Sequence, residues 1–434
     1  MIRRALFTAT TILAIHLALP GTALSAPAPR PAPPSPVDDE LVAMGETIPG
    51  FGGMFYDADG YPTVYLRDTR HPAAVAALKS LGSQVRVLQG DYEFAQLVAW
   101  KRALRPALGL PGVVYLDADE ARNRVVVGVT SLNAASPDKS LDRGRLDKEI
   151  TARGVPPAAV LYVEAPPLSE LIAAQRMGDP AGAADKRKPS TASIQSTIRP
   201  VPGAVQLSFI KQPYIYFCTI GFNAYLGGAF GFVTNSHCTS DRGAVDGTRY
   251  SQGDPYGAAI ATEIADPSYS TGGSCPAGRK CRYSDSAFAQ YDGASLGSFG
   301  KLSHPATRGV EVGSLTLKPA TSRFNVTGAG PAPLSGQVVN KIGRTTGWTY
   351  GPVIATCVDV DSSSTEFTLF CQHIVQAGTQ GGDSGSPVFS WTSGTAVKLL
   401  GILWAGGTDS HGHGIFAFSP FSSIQQELGP LRVN

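Results

Sequence analysis

Apolar and polar positions follow two different rhythms along this chain. Between residues 45 and 175 the rhythm keeps changing. Apolar runs at Phe51–Tyr56 and Thr63–Leu66 flank Asp57-Ala58-Asp59-Gly60, which predicts a hairpin. Pro72–Leu81 and Tyr92–Leu104 repeat apolar residues at helical spacing. Val113–Leu116 and Val125–Val129 alternate around Glu120-Ala121-Arg122-Asn123 as a second hairpin, and a helix near Leu141–Ala152 and a strand at Val160–Val163 follow. This mixture predicts a small α+β domain.

From residue 203 to 434 the runs are short and separated by turn residues. They are Val205–Ile210, Tyr214–Phe217, Ala229–Thr234, Ser286–Gln290, Gly313–Leu317, Phe367–Phe370, Pro387–Phe389, Val397–Leu403 and Ile415–Phe418. Only Ser422–Leu428 reads as a helix. Many short strands closed by one helix predict an all-β domain, a sandwich or a pair of barrels.

Three stretches lack either rhythm. In residues 1–26, Arg3 and Arg4 precede an apolar run to Leu19 and the small residues around Ala26, the layout of a cleaved export signal. The run is shorter than the ~20 residues that span a bilayer. No later run is longer, so no membrane span is expected after signal removal; an uncleaved anchor is the alternative. Residues 27–44 form a Pro-rich spacer, with order expected from about Leu41. Residues 176–202 shift to Gly, Ala, Lys, Ser, Thr and Pro around Lys186-Arg187-Lys188-Pro189, a linker suited to proteolytic processing.

Composition narrows the function classes. Lys+Arg (36) and Asp+Glu (34) nearly cancel, so nothing points to nucleic acid as a partner. Cys218, Cys238, Cys275, Cys281, Cys357 and Cys371 all follow residue 200, and an even count in an exported chain suggests three disulfides. Of 15 formal pairings, the nearest-neighbour scheme 218–238, 275–281, 357–371 closes three short loops. Zinc is the rival explanation, but there is no Cys-x-x-Cys pair; no metal or cofactor is expected.

Candidate chemistry lies in three segments. Gly381-Gly382-Asp383-Ser384-Gly385-Ser386-Pro387 has the glycines that a tight, exposed turn around a nucleophilic hydroxyl needs, with the N–H groups of Gly382 and Ser384 as oxyanion donors. A polar surface loop is the bland alternative. Phe230-Gly231-Phe232-Val233-Thr234-Asn235-Ser236-His237-Cys238 delivers a histidine at a strand end, and a serine nucleophile requires such a base. Tyr283-Ser284-Asp285-Ser286-Ala287-Phe288-Ala289 supplies a carboxylate that can fix the imidazole tautomer, with Asp292 as the competing acid.

In their order, His237, Asp285 and Ser384 with these flanks resemble the trypsin/chymotrypsin superfamily of serine proteases. The stretch Val338–Trp348, with Gly343-Arg344-Thr345-Thr346-Gly347, is most similar to the secreted bacterial streptogrisin and alpha-lytic protease branch. The resemblance covers roughly residues 205–430. It implies a 203–434 catalytic domain of two antiparallel six-stranded β-barrels with a C-terminal helix, and an Arg344–Asp383 ion pair. It further implies a secreted (or periplasmic) serine endopeptidase that acts on proteins and peptides. Of the cysteines, only Cys218–Cys238 matches the family clearly. The Val114–Asp117 and Asn123–Val127 segments resemble that branch's pro-regions, which implies that residues 45–175 are a folding aid and inhibitor of their own catalytic domain, removed on maturation; an accessory domain that is kept is the alternative.

Departures qualify the resemblance. Ser386 replaces a common second glycine, and Trp404 stands where many relatives carry a serine that supports the catalytic acid. Gly378 replaces the aspartate that selects Lys and Arg, so a small or apolar residue is expected before the scissile bond, in a pocket built around Gly378, Trp404, Ala405, Gly406 and Gly414; Asp409 is the one nearby acid that could reverse this. His411 and His413 would serve a metal, or an α/β-hydrolase arrangement. Asp359 and Asp361 suggest calcium weakly, and Asn325 heads a glycosylation sequon. An inactive relative acting as a binding protein is the alternative function.

Overall fold

The strand Arg124–Val129 is buried along nearly its whole length, with Val125, Val126, Val127 and Val129 at 0% exposure. Its neighbours explain this: Val113–Asp119 pairs antiparallel on one side and Val160–Glu164 parallel on the other. The helix Phe94–Leu104 also supplies Phe94, Leu97, Val98 and Leu104 to the same apolar core. A reciprocal Glu93–Gln96 capping box starts that helix. This computed structural model describes residues 36–81, 84–132, 141–178, 192–319, 322–362 and 365–434. The expected signal, the start of the Pro-rich spacer and the Lys186–Pro189 run lie outside the described residues.

The N-terminal elements otherwise follow the pattern. Phe51–Tyr56 and Pro62–Leu66 pair as a hairpin, Pro72–Leu81 is a helix, and Arg143–Ala152 is a helix capped by the Asp142 carboxylate. Besides the unpredicted strand Arg86–Gln89, which runs parallel to Pro62–Leu66, a further departure is a helix over Val37–Thr47. It falls within the expected spacer because Val37 and Leu41 are buried in the N-terminal core, a tertiary gain that composition does not display.

Beyond residue 192 the described chain is almost all strand, with Phe421–Leu428 as its helix. One six-stranded sheet contains Phe222–Leu226, Ala229–Thr234, Ala261–Ala265 and Ala287–Tyr291. Gln206–Lys211 and Tyr214–Thr219 form a separate three-stranded sheet with Ala173–Arg176, and the other strands beyond residue 200 join a fifteen-strand network in which two separate barrels are not resolved. Its spine is the 15-residue strand Gly347–Asp361, paired with Val338–Gly343 and Phe367–Val375. Beyond those pairings, Asp359 and Val360 lie opposite Leu116 and Tyr115, so the N-terminal hairpin continues the same sheet.

Gly313–Leu317 departs from expectation, holding only the isolated bridges of Thr316 and Leu317. The second half of the predicted linker departs too. Ile194, Ile198 and Val201 enter the core with Phe222, Phe232, Phe288, Phe324 and Phe389. All three cysteine pairs form in the nearest-neighbour scheme, and Cys357–Cys371 packs into the N-terminal core.

Candidate active site

Two adjacent strands bring the first two candidate residues together. Ala229–Thr234 and Ala287–Tyr291 pair with Thr234 opposite Ala287, so the residues just past one end and just before the other are neighbours. His237 sits in the short turn Ser236–Cys238 and Asp285 just before the second strand. Asn235 Nδ2 donates to the Asp285 carbonyl at 2.7 Å, and the Cys218–Cys238 disulfide ties the turn to the strand Tyr214–Thr219.

Ser384 arrives on a loop whose shape depends on two glycines at positive φ, Gly382 (97°) and Gly385 (87°). A Cβ on Gly385 would stand 2.2 Å from the Thr219 carbonyl oxygen, so the close approach also requires glycine. Thr219 N–H donates to the Ser384 carbonyl at 2.7 Å and Gly385 N–H to the Leu403 carbonyl at 2.9 Å, fixing the loop between two strands.

The three side chains are hydrogen-bonded in series. His237 Nδ1 bonds Asp285 Oδ2, and His237 N–H donates to Asp285 Oδ1 at 3.1 Å. With Nδ1–H turned to the carboxylate, Nε2 is the acceptor, and Ser384 Oγ lies 2.6 Å from it. Burial works to raise the Asp285 carboxyl, but His237, with Arg242 and Arg282 farther off, holds it below the ordinary carboxylate range. A carboxylate kept charged in this way can stabilise an imidazolium.

The acid before the serine has a different partner from the expected one. Asp383 pairs with Lys341 at 2.9 Å, both side chains fully buried, while Arg344 donates to Gln206 Oε1 at 2.8 Å and lies over the Phe217 ring. Strand geometry gives the reason. Lys341 lies within Val338–Gly343 with its side chain in the interior, whereas Arg344 follows the strand end and leaves it. Sequence reasoning also missed Ser419, whose Oγ accepts from Asp285 N–H at 3.0 Å and donates to Gln372 at 2.9 Å. It supports Asp285 from another strand, where Trp404 replaces the expected serine. The competing acid, Asp292, forms an ion pair with Arg249 at 2.6 Å.

The cleft holds a piece of this chain. Gly382 N–H and Ser384 N–H both point at the Leu171 carbonyl oxygen, at 2.5 and 3.4 Å, and Leu171 N–H faces the Trp404 carbonyl at 3.4 Å. Glu170 and Ser169 pair antiparallel with Ala405 and Gly406. On the other side of the carbonyl, Ala173–Arg176 pairs with Tyr214–Phe217. A Cβ on Gly406 would approach Leu171 Cδ1 to 2.9 Å, so this glycine makes room for the leucine side chain. Gly378 and Gly414 lie instead against Glu311, whose carbonyl and carboxylate they closely approach. Asp409 is turned into its own loop, accepting from the N–H groups of His411 and His413.

His237 falls in two groupings with metal-like spacing, one with Cys218 and Cys238 and one with Glu170 and Asp285. The cysteines are joined in a disulfide, Glu170 is paired with Arg242, and Asp285 with His237, so neither grouping offers a free ligand set. Asp359 and Asp361 are likewise paired, with Arg105 and Arg279.

No protein-family model matches this sequence, and no match was found among characterised proteins. In structure, the chain matches bacterial serine proteases of the chymotrypsin fold over about half its length. It is similar to Thermobifida fusca protease A at 22% identity, over 54% of this chain and 97% of that one, with a TM-score of 0.38. The Nocardiopsis protease NAPase matches at 21% identity over 54% and 98%, TM-score 0.37. An alpha-lytic protease homolog, N4, matches at 22% over 54% and 99%, TM-score 0.38.

Proposed function

We propose that this chain is a secreted serine endopeptidase that works through an acyl-enzyme, with Ser384 as nucleophile, His237 as general base and acid, and Asp285 as the carboxylate that orients it. One observation carries the reading: Ser384 Oγ lies 2.6 Å from His237 Nε2 while Nδ1 of the same ring is held by Asp285. His237 takes the serine proton as Oγ attacks a peptide carbonyl. The N–H groups of Gly382 and Ser384 then hold the developing oxyanion, as they now hold the Leu171 oxygen. His237 returns the proton to the departing amine, and water releases the acyl group.

Residues 203–434 form the catalytic domain, a pair of six-stranded barrels in this reading, and residues 45–175 are a pro-region made with it. The continuous sheet between Asp359–Val360 and Leu116–Tyr115 supports a pro-region that binds its own catalytic domain. The three disulfides fit an oxidising compartment outside the cytosol. The Leu171 side chain beside Gly406 supports an apolar residue before the scissile bond.

A fluorophosphonate probe tests the reading. It should label Ser384 in the processed protein and fail to label Ser384→Ala or His237→Ala. A processed, folded protein that resists the probe and hydrolyses no peptide would contradict it.

A further inference from the structure

The segment Ser169–Arg176 lies in the cleft in substrate register, and an acid precedes the leucine at the oxyanion donors. Glu170 forms a two-point ion pair with the guanidinium of Arg242, one nitrogen to each carboxylate oxygen, the longer contact at 2.7 Å. Both side chains are mostly buried, at 12% and 26% exposure. Arg242 also stacks on the Phe367 ring at 4.9 Å, which fixes its direction. Ile172, on the far side of the Leu171 carbonyl, lines a cavity of about 350 Å³ with Phe209, Tyr216, His237 and Arg242. Gly381 leaves room for that residue: its Cβ would stand 3.3 Å from the Ile172 oxygen.

Building on the serine-protease reading above, we propose that Arg242 is a specificity-determining residue that selects an acidic side chain directly before the apolar residue at the attacked carbonyl, and that Leu171–Ile172 is the first bond this site cuts. A planar guanidinium held over a ring and facing a carboxylate at two points discriminates sharply against a neutral side chain, which would leave it partly desolvated and unpaired. In the self-cut, Ser384 Oγ bonds to the Leu171 carbonyl carbon and the bond to the Ile172 nitrogen breaks. The serine proton passes through His237 to that nitrogen. One water molecule then releases Leu171 as a carboxylate and restores Ser384. This places the cut before the basic run at Lys186–Pro189.

The test uses the full chain, secreted and purified, with two readouts. N-terminal sequencing and mass spectrometry should find a fragment that begins at Ile172, and Glu170→Gln should slow its appearance about tenfold. The mature protein should hydrolyse the peptide Ser-Glu-Leu-Ile-Ala at least about tenfold faster, in kcat/KM, than Ser-Ala-Leu-Ile-Ala. Arg242→Ala should bring that ratio near one, and Arg242→Glu should reverse it in favour of a lysine in place of the glutamate. If the Arg242 variants are not secreted, the unaltered protein's peptide ratio and the Glu170→Gln rate decide. A protein that hydrolyses peptides without preferring the acid, or whose first cut lies elsewhere, overturns this inference and leaves the protease reading intact. A protein that cuts neither itself nor any peptide and resists the fluorophosphonate overturns both.

Discussion

Among the described residues two lysine–aspartate pairs are buried, one beside the candidate nucleophile and one where the N-terminal region meets the rest. Lys341–Asp383 spans 2.9 Å and Lys101–Asp38 spans 2.5 Å, with all four side chains at 1% exposure or less. They differ in what surrounds the acid. Asp383 also accepts from the N–H groups of Thr345 and Thr346 and from the Thr346 hydroxyl, at 2.8, 3.2 and 2.6 Å. Burial works against its charge, but Lys341 and these donors hold the carboxyl below its ordinary range. Asp38 leaves Oδ1 without a partner, and burial, aided by nearby Asp359, raises it despite Lys101. Next to it, burial and acidic neighbours raise Asp117 well above its ordinary value and Glu120 to about 8. Each acid faces a buried lysine, and the one that also accepts several hydrogen bonds is the one held below its ordinary range.

The largest effect expected lies at the well-supplied end. Asp285→Asn should lower kcat on a peptide by about 10⁴-fold in a chain that still folds, because the imidazole loses its orienting charge. Steady-state kinetics with calorimetry checks both halves. Lys341→Met comes next: it strands a fully hydrogen-bonded carboxylate and should cost about 3–5 kcal/mol in denaturant unfolding. Lys101→Met should cost less, about 1–3 kcal/mol, because Asp38 can take up a proton instead. Equal costs for the two would break the comparison.

A pH series sharpens it further. Glu120 keeps its proton to about pH 8 when folded but loses it near 4.5 when unfolded, so its contribution to stability falls as pH rises through that window. His373 has the opposite sign: burial holds it near 3, so stability is lost as pH falls below 6.5. Asp383 and Asp285 are depressed, and the stability they contribute is lost only as pH falls below 3.8. The melting temperature should therefore decline from pH 6.5 to 8, and Glu120→Gln should flatten the decline. A flat profile for the unaltered chain would contradict the difference drawn here. Ser419→Ala should be the mildest, about 1 kcal/mol in stability, with a loss in kcat well below that of Asp285→Asn.

The same contrast shows what was legible beforehand. His237 and Ser384 stood out because nucleophile chemistry demands particular residues in short segments, and Asp285 because it opens an apolar strand. Most strands and helices could be read because each has one periodicity. Lys341 was missed in favour of Arg344 because side-chain direction depends on where the strand stops. Asn123 reads as an ordinary turn residue, yet at φ 51° it bonds Asp91, Tyr92 and Gly52, tying the hairpin to the rest of its domain. Ile194 and Ile198 sat in a stretch of linker composition although both enter the core. Ser169–Arg176 had no periodicity to find, since it is extended only because two other strands pair with it.

In the proposed mechanism His237 and Ser384 act as one device, and a double-variant cycle measures that directly. Peptide turnover should fall to the same residual rate in His237→Ala, in Ser384→Ala and in the double variant, because removing either group disables the other. Losses that multiply in the double variant would show two independent contributions and contradict the proposal.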